Sequence, residues 1–192
     1  MSGVLGALVG SFASGPAPGS YESIATVAVA AGTSSANITF SSIPSTYTHL
    51  QVRMIHRSVS SNVYNAWFTA RLNGDTATNY SSHGMYGNGS SVATGGSANV
   101  TVLDGFSRPG ADAGDTFYGV HIVDILDYAN TNKYKTVRHL GGADISISTT
   151  RLDVAIYSNN WRSTSAINEI TFIGNQGAFT EYSHFALYGI KS

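Results

Sequence analysis

The sequence predicts an all-β protein, an antiparallel β-sandwich of jelly-roll type with a short N-terminal arm. Apolar and polar residues alternate at every second position through most of the chain, and these stretches are enriched in β-branched and aromatic residues. Gly, Asn, Ser and Asp residues separate the stretches. No window longer than about ten residues has the 3.6-residue period of an amphipathic helix. Short strands spaced in this way are typical of two packed antiparallel sheets.

The chain of 192 residues is expected to form one domain, residues 21–192, behind an arm and linker, residues 1–20. The apolar positions of the arm are Val4, Leu5, Leu8, Val9 and Phe12. No Lys or Arg precedes this run, so it is not expected to be a secretion signal, and it is too short to cross a membrane. Exposed apolar surface is unfavourable, which favours docking of the arm into a neighbouring subunit. A disordered tail and a short helix packed on its own domain are the alternatives.

About eleven strands are predicted in chain order. They span residues 23–30, 36–40, 49–57, 64–72, 79–86, 99–106, 117–127, 134–140, 151–158, 167–173 and 182–190. The pattern is clearest from Tyr64 to Leu72, where the even-numbered residues are apolar and share one face, and Asn73-Gly74 then gives a tight turn. The Gly- and Ser-rich stretch at residues 87–97 is predicted to be a mobile or neighbour-facing loop.

The surface is expected to carry little charge. Charged residues make up 11% of the chain, against roughly 25% in an average soluble domain. Surfaces buried between subunits are depleted in Lys, Glu and Asp and enriched in aromatic residues, and this chain has 11 tyrosines. The composition therefore favours subunit contacts, with a secreted or sugar-facing domain as the alternative.

Nucleic acid is not an expected partner. The net charge is −1 and the 10 basic residues are scattered along the chain, whereas a nucleic-acid site needs a concentrated basic face. The one local group, Lys133, Lys135 and Arg138, is interpreted as part of a solvated hairpin.

The sequence contains no recognisable catalytic, metal or cofactor motif, and the protein is predicted not to be an enzyme. There is no cysteine, which excludes thiolate chemistry and disulfides. No serine lies in a G-x-S-x-G motif, and the 6 histidines lack metal-ligand spacings. Asp124 and Asp127 point to opposite faces of one strand, so they do not form an acid–base pair. Asp124 is expected to be buried and paired with Arg138 or with a backbone amide.

Aromatic side chains are the candidate contact residues. Trp161 follows the polar residues Ser158-Asn159-Asn160 after a predicted strand. Such a ring can stack on a sugar, anchor an interface or fold back to close the end of the sandwich, and all three interpretations stay open. The further candidates for interface or glycan contact are Tyr64, Trp67, Tyr80 and Tyr86.

Six segments of the chain form a recognisable set. They are residues 21–24 (YESI), 42–53 (SIPSTYTHLQVR), 70–75 (ARLNGD), 123–133 (VDILDYANTNK), 161–164 (WRST) and 185–191 (FALYGIK). As a set they resemble a structural-protein domain of tailed bacteriophages, notably phages of cyanobacteria and other aquatic hosts. The similarity covers almost everything from Tyr21 to the C terminus.

The resemblance implies a virion structural protein, assembled in the host cytoplasm. It would be a capsid decoration or cement protein, or else a tail or fibre appendage. The aromatic candidates Trp161, Tyr80 and Tyr86 add the alternative that such an appendage carries a carbohydrate-binding module for host attachment. Its partners would be further copies of itself, expected as a homotrimer, and the major capsid protein or tail components, with glycans as an additional ligand. It implies no catalytic residue, cofactor, metal, nucleic acid or membrane. Because the domain stands nearly alone behind a short arm, an accessory decoration protein is favoured over a long fibre.

Overall fold

The fold is built from β-strands. A computed structural model describes residues 20–61, 65–111, 116–143 and 153–191. Within these ranges the strands, in chain order, are β1 (Tyr21–Ala28), β2 (Ser34–Ser35), β3 (Asn37–Phe40), β4 (His49–His56), β5 (Asn65–Leu72), β6 (Tyr80–Gly87), β7 (Val92–Val100), β8 (Leu103–Pro109), β9 (Gly119–Leu126), β10 (Lys135–Ala143), β11 (Asp153–Trp161), β12 (Ile170–Ile173), β13 (Phe179–Thr180) and β14 (His184–Ile190). The described ranges contain no helix long and apolar enough to span a bilayer.

The strands form two main antiparallel sheets that pack face to face. The larger sheet has the order β1-β14-β4-β9-β10-β11-β6-β7, and the smaller sheet has the order β3-β12-β5-β8. A third, two-stranded sheet pairs β2 with β13. The predicted all-β sandwich is confirmed.

The strand pairing is that of a jelly roll. β1 pairs with β14, β3 with β12, β4 with β9 and β5 with β8, so the first strand of the roll meets the last, the second meets the second last, and so on inward. Eight strands nested in this way over two sheets make a jelly roll. Two hairpins, β6–β7 and β10–β11, are inserted into the roll, and both extend the larger sheet beyond β9. The larger sheet is therefore wider than the sheet that covers it.

Side chains alternate between a core face and an outer face along the strands. In β5, Ala66, Phe68, Ala70 and Leu72 are all buried, which confirms that they share one face. Phe68, Ala70 and Leu72 belong to one continuous apolar core that also contains Phe185 and other inward residues of the larger sheet. Burying a large apolar side chain contributes about 1.5–3 kcal/mol, so this core is the main source of stability.

The predicted loop at residues 87–97 is wrong, because much of it is strand. β7 pairs with β6 along its whole length, and the connection between them is limited to residues 88–91. Glycine has a low intrinsic preference for strands, but the backbone ladder to β6 overrides it. A Cβ at Gly96 would lie 2.9 Å from the ring of His83, so glycine lets the edge strand come close. The predicted strand at residues 99–106 is likewise divided between the end of β7 and the start of β8.

Two polar side chains lie in surroundings that differ from the prediction. Lys135 is fully buried rather than solvated, and its Nζ donates a hydrogen bond to the backbone oxygen of Lys133 at 3.0 Å. Burial lowers the pKa of Lys135, and the charge of Lys133 adds to the effect. Asp124 lies on the outer face of β9 and is partly exposed. Its carboxylate accepts a hydrogen bond from Nε2 of Gln51 at 2.8 Å, in place of the predicted bond to Arg138 or to a backbone amide.

Candidate ligand groove and assembly face

The predicted contact residues fall into three groups. The arm residues and Tyr64 lie outside the described residues. Trp161 and Tyr80 are in the core, 2% and 0% exposed, so the prediction that they contact a partner or a glycan is wrong. Trp67 and Tyr86 are partly exposed, and the fold brings them to the same cavity.

Trp161 and Tyr80 are buried because each occupies an inward position of its strand. They are register partners in β11 and β6, and their rings stack with centroids 6.3 Å apart. The Trp161 Nε1–H donates a hydrogen bond to Oδ2 of Asp75 at 2.7 Å. Burial alone would raise the pKa of Asp75, but hydrogen bonds from Asn79, Trp161 and the Ala77 amide outweigh it and lower the pKa. The indole thus closes one end of the sandwich, which was the third interpretation of this residue.

A side groove lies where the larger sheet extends past the smaller one. β6 and β7 are the outermost strands of the larger sheet on this side, and β8 is the last strand of the smaller sheet. The cavity has a volume of about 360 Å³, within the usual range for small-ligand sites. Trp67 lines it from the smaller sheet and Tyr86 lines it from β6. The side groove therefore depends on the β6–β7 hairpin, one of the two hairpins that are inserted into the jelly roll.

Tyr157 forms the floor of the side groove and is held in place by close packing. Its ring stacks on His139 with centroids 5.3 Å apart and planes 5° apart. A Cβ added at Gly84 or at Gly105 would come within 2.3 Å or 2.5 Å of the Tyr157 ring. Gly105 also has a φ of 92° and lies in a β-bulge, where β8 has one more residue than β5. Glycine at this position meets both requirements, a positive φ and the close approach of the ring.

The bulge also brings polar groups to the side groove. Oδ1 of Asp104 accepts a hydrogen bond from the Gly105 amide at 2.8 Å, and the Asp104 amide donates to Oδ1 of Asn159 at 3.2 Å. The hydroxyl groups of Ser82 and Ser97 lie 2.8 Å apart on facing positions of β6 and β7. Among the described residues that line the side groove, Asp104 has the only charged side chain. The side groove thus combines aromatic walls, two hydroxyl groups and one carboxylate.

The outer face of the larger sheet is apolar over two adjacent rows, here called the assembly face. The first row runs across the sheet through Ile55, Val120, Val154 and Val92, and the second through Ile122, Leu140, Ile156 and Met85. All of these side chains are exposed, Val92 by 74% and Val154 by 67%. Val120, Leu140 and Val154 border a shallow depression of about 550 Å³. Isolated exposed apolar residues are ordinary, but a continuous patch marks an interaction surface.

Polar side chains border the assembly face on one side. The next row across the same strands consists of Gln51, Asp124, Arg138, Ser158 and His83. An apolar centre with a polar rim is the usual anatomy of a protein interface.

The assembly face was not predicted from the sequence, although the residues of β9 carry a signal for it. Both alternating sets of this strand are apolar: Val123 and Ile125 point to the core, while Val120 and Ile122 point outward. A strand that is apolar on both faces is typical of a sheet that is covered on both sides. Within the described chain, however, only one face of β9 is covered. The smaller sheet covers that face, and the other face is exposed.

Buried histidines pack behind the side groove. Nε2 of His56 lies 3.0 Å from Nδ1 of His121, and Nε2 of His139 lies 3.1 Å from the backbone oxygen of Asp104. Burial lowers the pKa of His139 to about 4. Burial, together with the nearby His56 and His139, also holds the pKa of His121 well below its usual value. In the described ranges no group of three or more His, Asp or Glu side chains is arranged to hold a metal ion.

Comparisons with known proteins give no family for this chain. No family model, no curated protein and no solved structure matches it significantly. The side groove and the assembly face are therefore interpreted from their own chemistry.

Proposed function

We propose that this chain is a structural protein of a tailed-phage virion, an accessory capsid decoration or cement protein that binds neighbouring subunits. The observation that carries the proposal is the assembly face, a continuous set of exposed apolar side chains on the outside of the larger sheet. Removing apolar surface from water is favourable by roughly 25 cal/mol per Å², so another subunit that covers this face stabilises the assembly. The low content of charged residues, 11%, supports the same conclusion. The assignment to a phage rests on the sequence resemblance alone.

The proposed occupant of the assembly face is another copy of the chain. The face itself lacks charged side chains apart from Arg53, which is the register partner of Ile122 at its edge. On the rim, Asp124 and Arg138 are register partners of opposite charge, so contact between copies does not force a block of like charges together. The expected oligomer is a homotrimer. On a regular shell, many such contacts act together, so that copies which bind weakly one by one are held strongly as a set.

Size-exclusion chromatography with light scattering tests self-association. The wild-type protein is expected to have a mass that is a multiple of 20.1 kDa, with three copies as the expected number. Leu140→Lys, in the middle of the assembly face, is expected to reduce the mass to that of one chain, because an unpaired charge would be buried at the contact. Thr136→Lys is the matched control, since Thr136 is exposed on the same face of β10 but lies outside the apolar rows.

Two results would contradict this part of the proposal: a wild-type protein that is monomeric at every concentration, or a Leu140→Lys variant that assembles normally.

Mass spectrometry of purified particles of the phage that encodes the chain, with heads and tails separated, tests the virion role. A decoration protein is expected in the head fraction. Absence from both fractions would rule out a virion protein.

A tail or fibre appendage with a carbohydrate-binding module is the second candidate function. It is favoured by the side groove, in which Trp67 and Tyr86 come together. Detection of the chain in the tail fraction would favour this candidate over the decoration protein.

A further inference from the structure

We propose that the side groove binds neutral sugars, with a pyranose ring packed on Trp67 and Tyr86 and its hydroxyl groups bound by Asp104, Ser82 and Ser97. The side groove lies on the inner side of the β6–β7 extension, whereas the assembly face lies on the outer side of the same sheet. The two surfaces are therefore separate. The proposal does not require subunit assembly; it rests on the second candidate function, the carbohydrate-binding module, and names its site and ligand class.

The aromatic walls supply the apolar part of sugar recognition. One face of a pyranose ring consists largely of C–H groups, which pack well on a flat aromatic ring. Both Trp67 and Tyr86 are partly exposed, so their rings are available to a ligand. Two hydrogen bonds to Gln176 anchor the Trp67 backbone. The Trp67 amide donates to Oε1 of Gln176 at 2.8 Å, and the Trp67 oxygen accepts from the Gln176 amide at 3.3 Å. Anchored aromatic residues lose little conformational entropy when a ligand binds.

The polar groups of the side groove match the hydroxyl groups of a sugar. A carboxylate accepts hydrogen bonds with both oxygens, and can therefore bind two neighbouring hydroxyl groups at once. Asp104 is suited to this because its backbone is fixed to the larger sheet through Asn159 and His139. The hydroxyl groups of Ser82 and Ser97 can both donate and accept, and each can exchange its present partner for a sugar hydroxyl.

The shape of the side groove is formed before any ligand arrives. Tyr157 is packed between the glycine positions and the ring of His139, and the bulge at Gly105 fixes the direction in which Asp104 points. Preformed sites of this kind bind more tightly than sites that must be ordered by the ligand. The volume of about 360 Å³ suits a small number of sugar units.

The charge of the side groove selects among ligand classes. Asp104 has the only charged side chain among the described lining residues, so acidic sugars are repelled and neutral sugars are not. A quaternary ammonium group is the competing chemistry, because aromatic rings and a carboxylate attract it as well. The two serine hydroxyls, however, match the hydroxyl groups of a sugar, whereas a quaternary ammonium offers them no hydrogen-bond partner.

An array of neutral and acidic oligosaccharides, probed with the wild-type chain, tests the proposal. Binding to neutral glycans is expected, and the best of them is then used for titration. Trp67→Ala and Asp104→Asn are each expected to raise the dissociation constant about tenfold or more. Tyr134→Ala is the matched control, since Tyr134 is an exposed aromatic residue in the β9–β10 connection, and it should leave binding unchanged. Leu140→Lys should also bind normally, which separates this proposal from the assembly proposal.

The two tryptophans allow a second measurement on the unsubstituted protein. Trp67 lines the side groove and Trp161 is buried in the core, so the indole N–H signal of Trp67 is expected to shift during an NMR titration with the glycan while that of Trp161 stays in place. This result does not depend on whether a variant folds. The proposal is overturned if no neutral glycan binds, if only acidic glycans bind, if choline alone occupies the site, or if the Trp67 signal does not move.

Discussion

His139 shows how a single residue couples the core to the side groove. Its ring stacks on Phe106 with centroids 4.0 Å apart and on Tyr157 with centroids 5.3 Å apart. Its Nε2 is also hydrogen-bonded to the backbone oxygen of Asp104. Because the ring is surrounded by apolar and aromatic groups, its neutral form is strongly favoured. The position of two residues that line the side groove therefore depends on a histidine that must stay uncharged.

The free energy of unfolding is expected to decrease as the pH falls from 6.5 towards 4. An unfolded histidine titrates near 6.5, while burial lowers the pKa of His139 in the folded chain to about 4. Between these values the unfolded state binds a proton and the folded state does not. The loss is therefore up to about 1.4 kcal/mol per pH unit for each such histidine, and His121, whose pKa is lowered in the same direction, adds to it. Urea denaturation at pH 7, 6 and 5 measures this dependence.

Substitution separates His139 from the other titrating groups. His139→Phe removes one buried histidine while keeping an aromatic ring, and should make the free energy of unfolding less dependent on pH. His184→Gln, at an exposed histidine on β14, is the matched substitution with which this variant is compared. An unaltered pH dependence in His139→Phe would show that His139 does not carry the effect.

At the scale of elements, the bulge in β8 and the β6–β7 hairpin determine which side chains line the side groove. The bulge between the Phe68–Phe106 and Ala70–Leu103 pairs adds one residue to β8, and with it Asp104 and Gly105 reach the side groove. The hairpin supplies the opposite wall of the side groove. The regular alternation from residue 65 to residue 72 correctly predicted strand β5 and put Ala66, Phe68, Ala70 and Leu72 on one face. It could not place the bulge, since an extra residue becomes visible only when the partner strand is known.

Gly105→Ala is expected to destabilise the fold, whereas Gly95→Ala is not. A Cβ at Gly105 would lie 2.5 Å from the Tyr157 ring, on a backbone whose φ of 92° is unfavourable for alanine. Strain and overpacking together should lower the free energy of unfolding by about 2–4 kcal/mol. Gly95 lies in β7, and a Cβ there would meet nothing within 4 Å, so its replacement should change stability by less than about 0.5 kcal/mol. Chemical denaturation compares the two, and equal stabilities would refute the role given to the bulge.

At the scale of the whole molecule, the unequal width of the two sheets produces both surfaces of interest. The smaller sheet covers part of one side of the larger sheet, so the inner side of the β6–β7 extension borders the side groove. The outer side of the larger sheet is left exposed and carries the assembly face. Strand pairs such as β1 with β14 join residues from opposite ends of the chain. The two surfaces therefore form only when the complete sandwich has folded.

Removal of residues 1–20 is expected to leave the sandwich folded and to abolish incorporation into particles. β1 begins at Tyr21, and the apolar core of the described chain consists of residues that follow it, so the thermal midpoint should be retained. The apolar arm is proposed to dock into a neighbouring subunit, so its loss should prevent assembly. Circular dichroism measures the midpoint and mass spectrometry of particles measures incorporation. If the truncated chain is incorporated normally, the arm has no docking role.

The sequence by itself determined that the protein is all-β, where most strands lie and that side chains alternate between two faces. It also named Trp67 and Tyr86 as contact candidates, but together with Trp161 and Tyr80, which are buried. The other side chains of the side groove, among them Asp104 and Tyr157, were not identified at all.

Only the tertiary structure decided which face of each strand is covered. Alternation with a period of two is the same whichever face points inward, and in β9 both faces are apolar. The choice depends on which strands, distant in the chain, form the opposing sheet and how far that sheet extends. For this reason the side groove and the assembly face became visible only once the two sheets, and the difference in their width, were known.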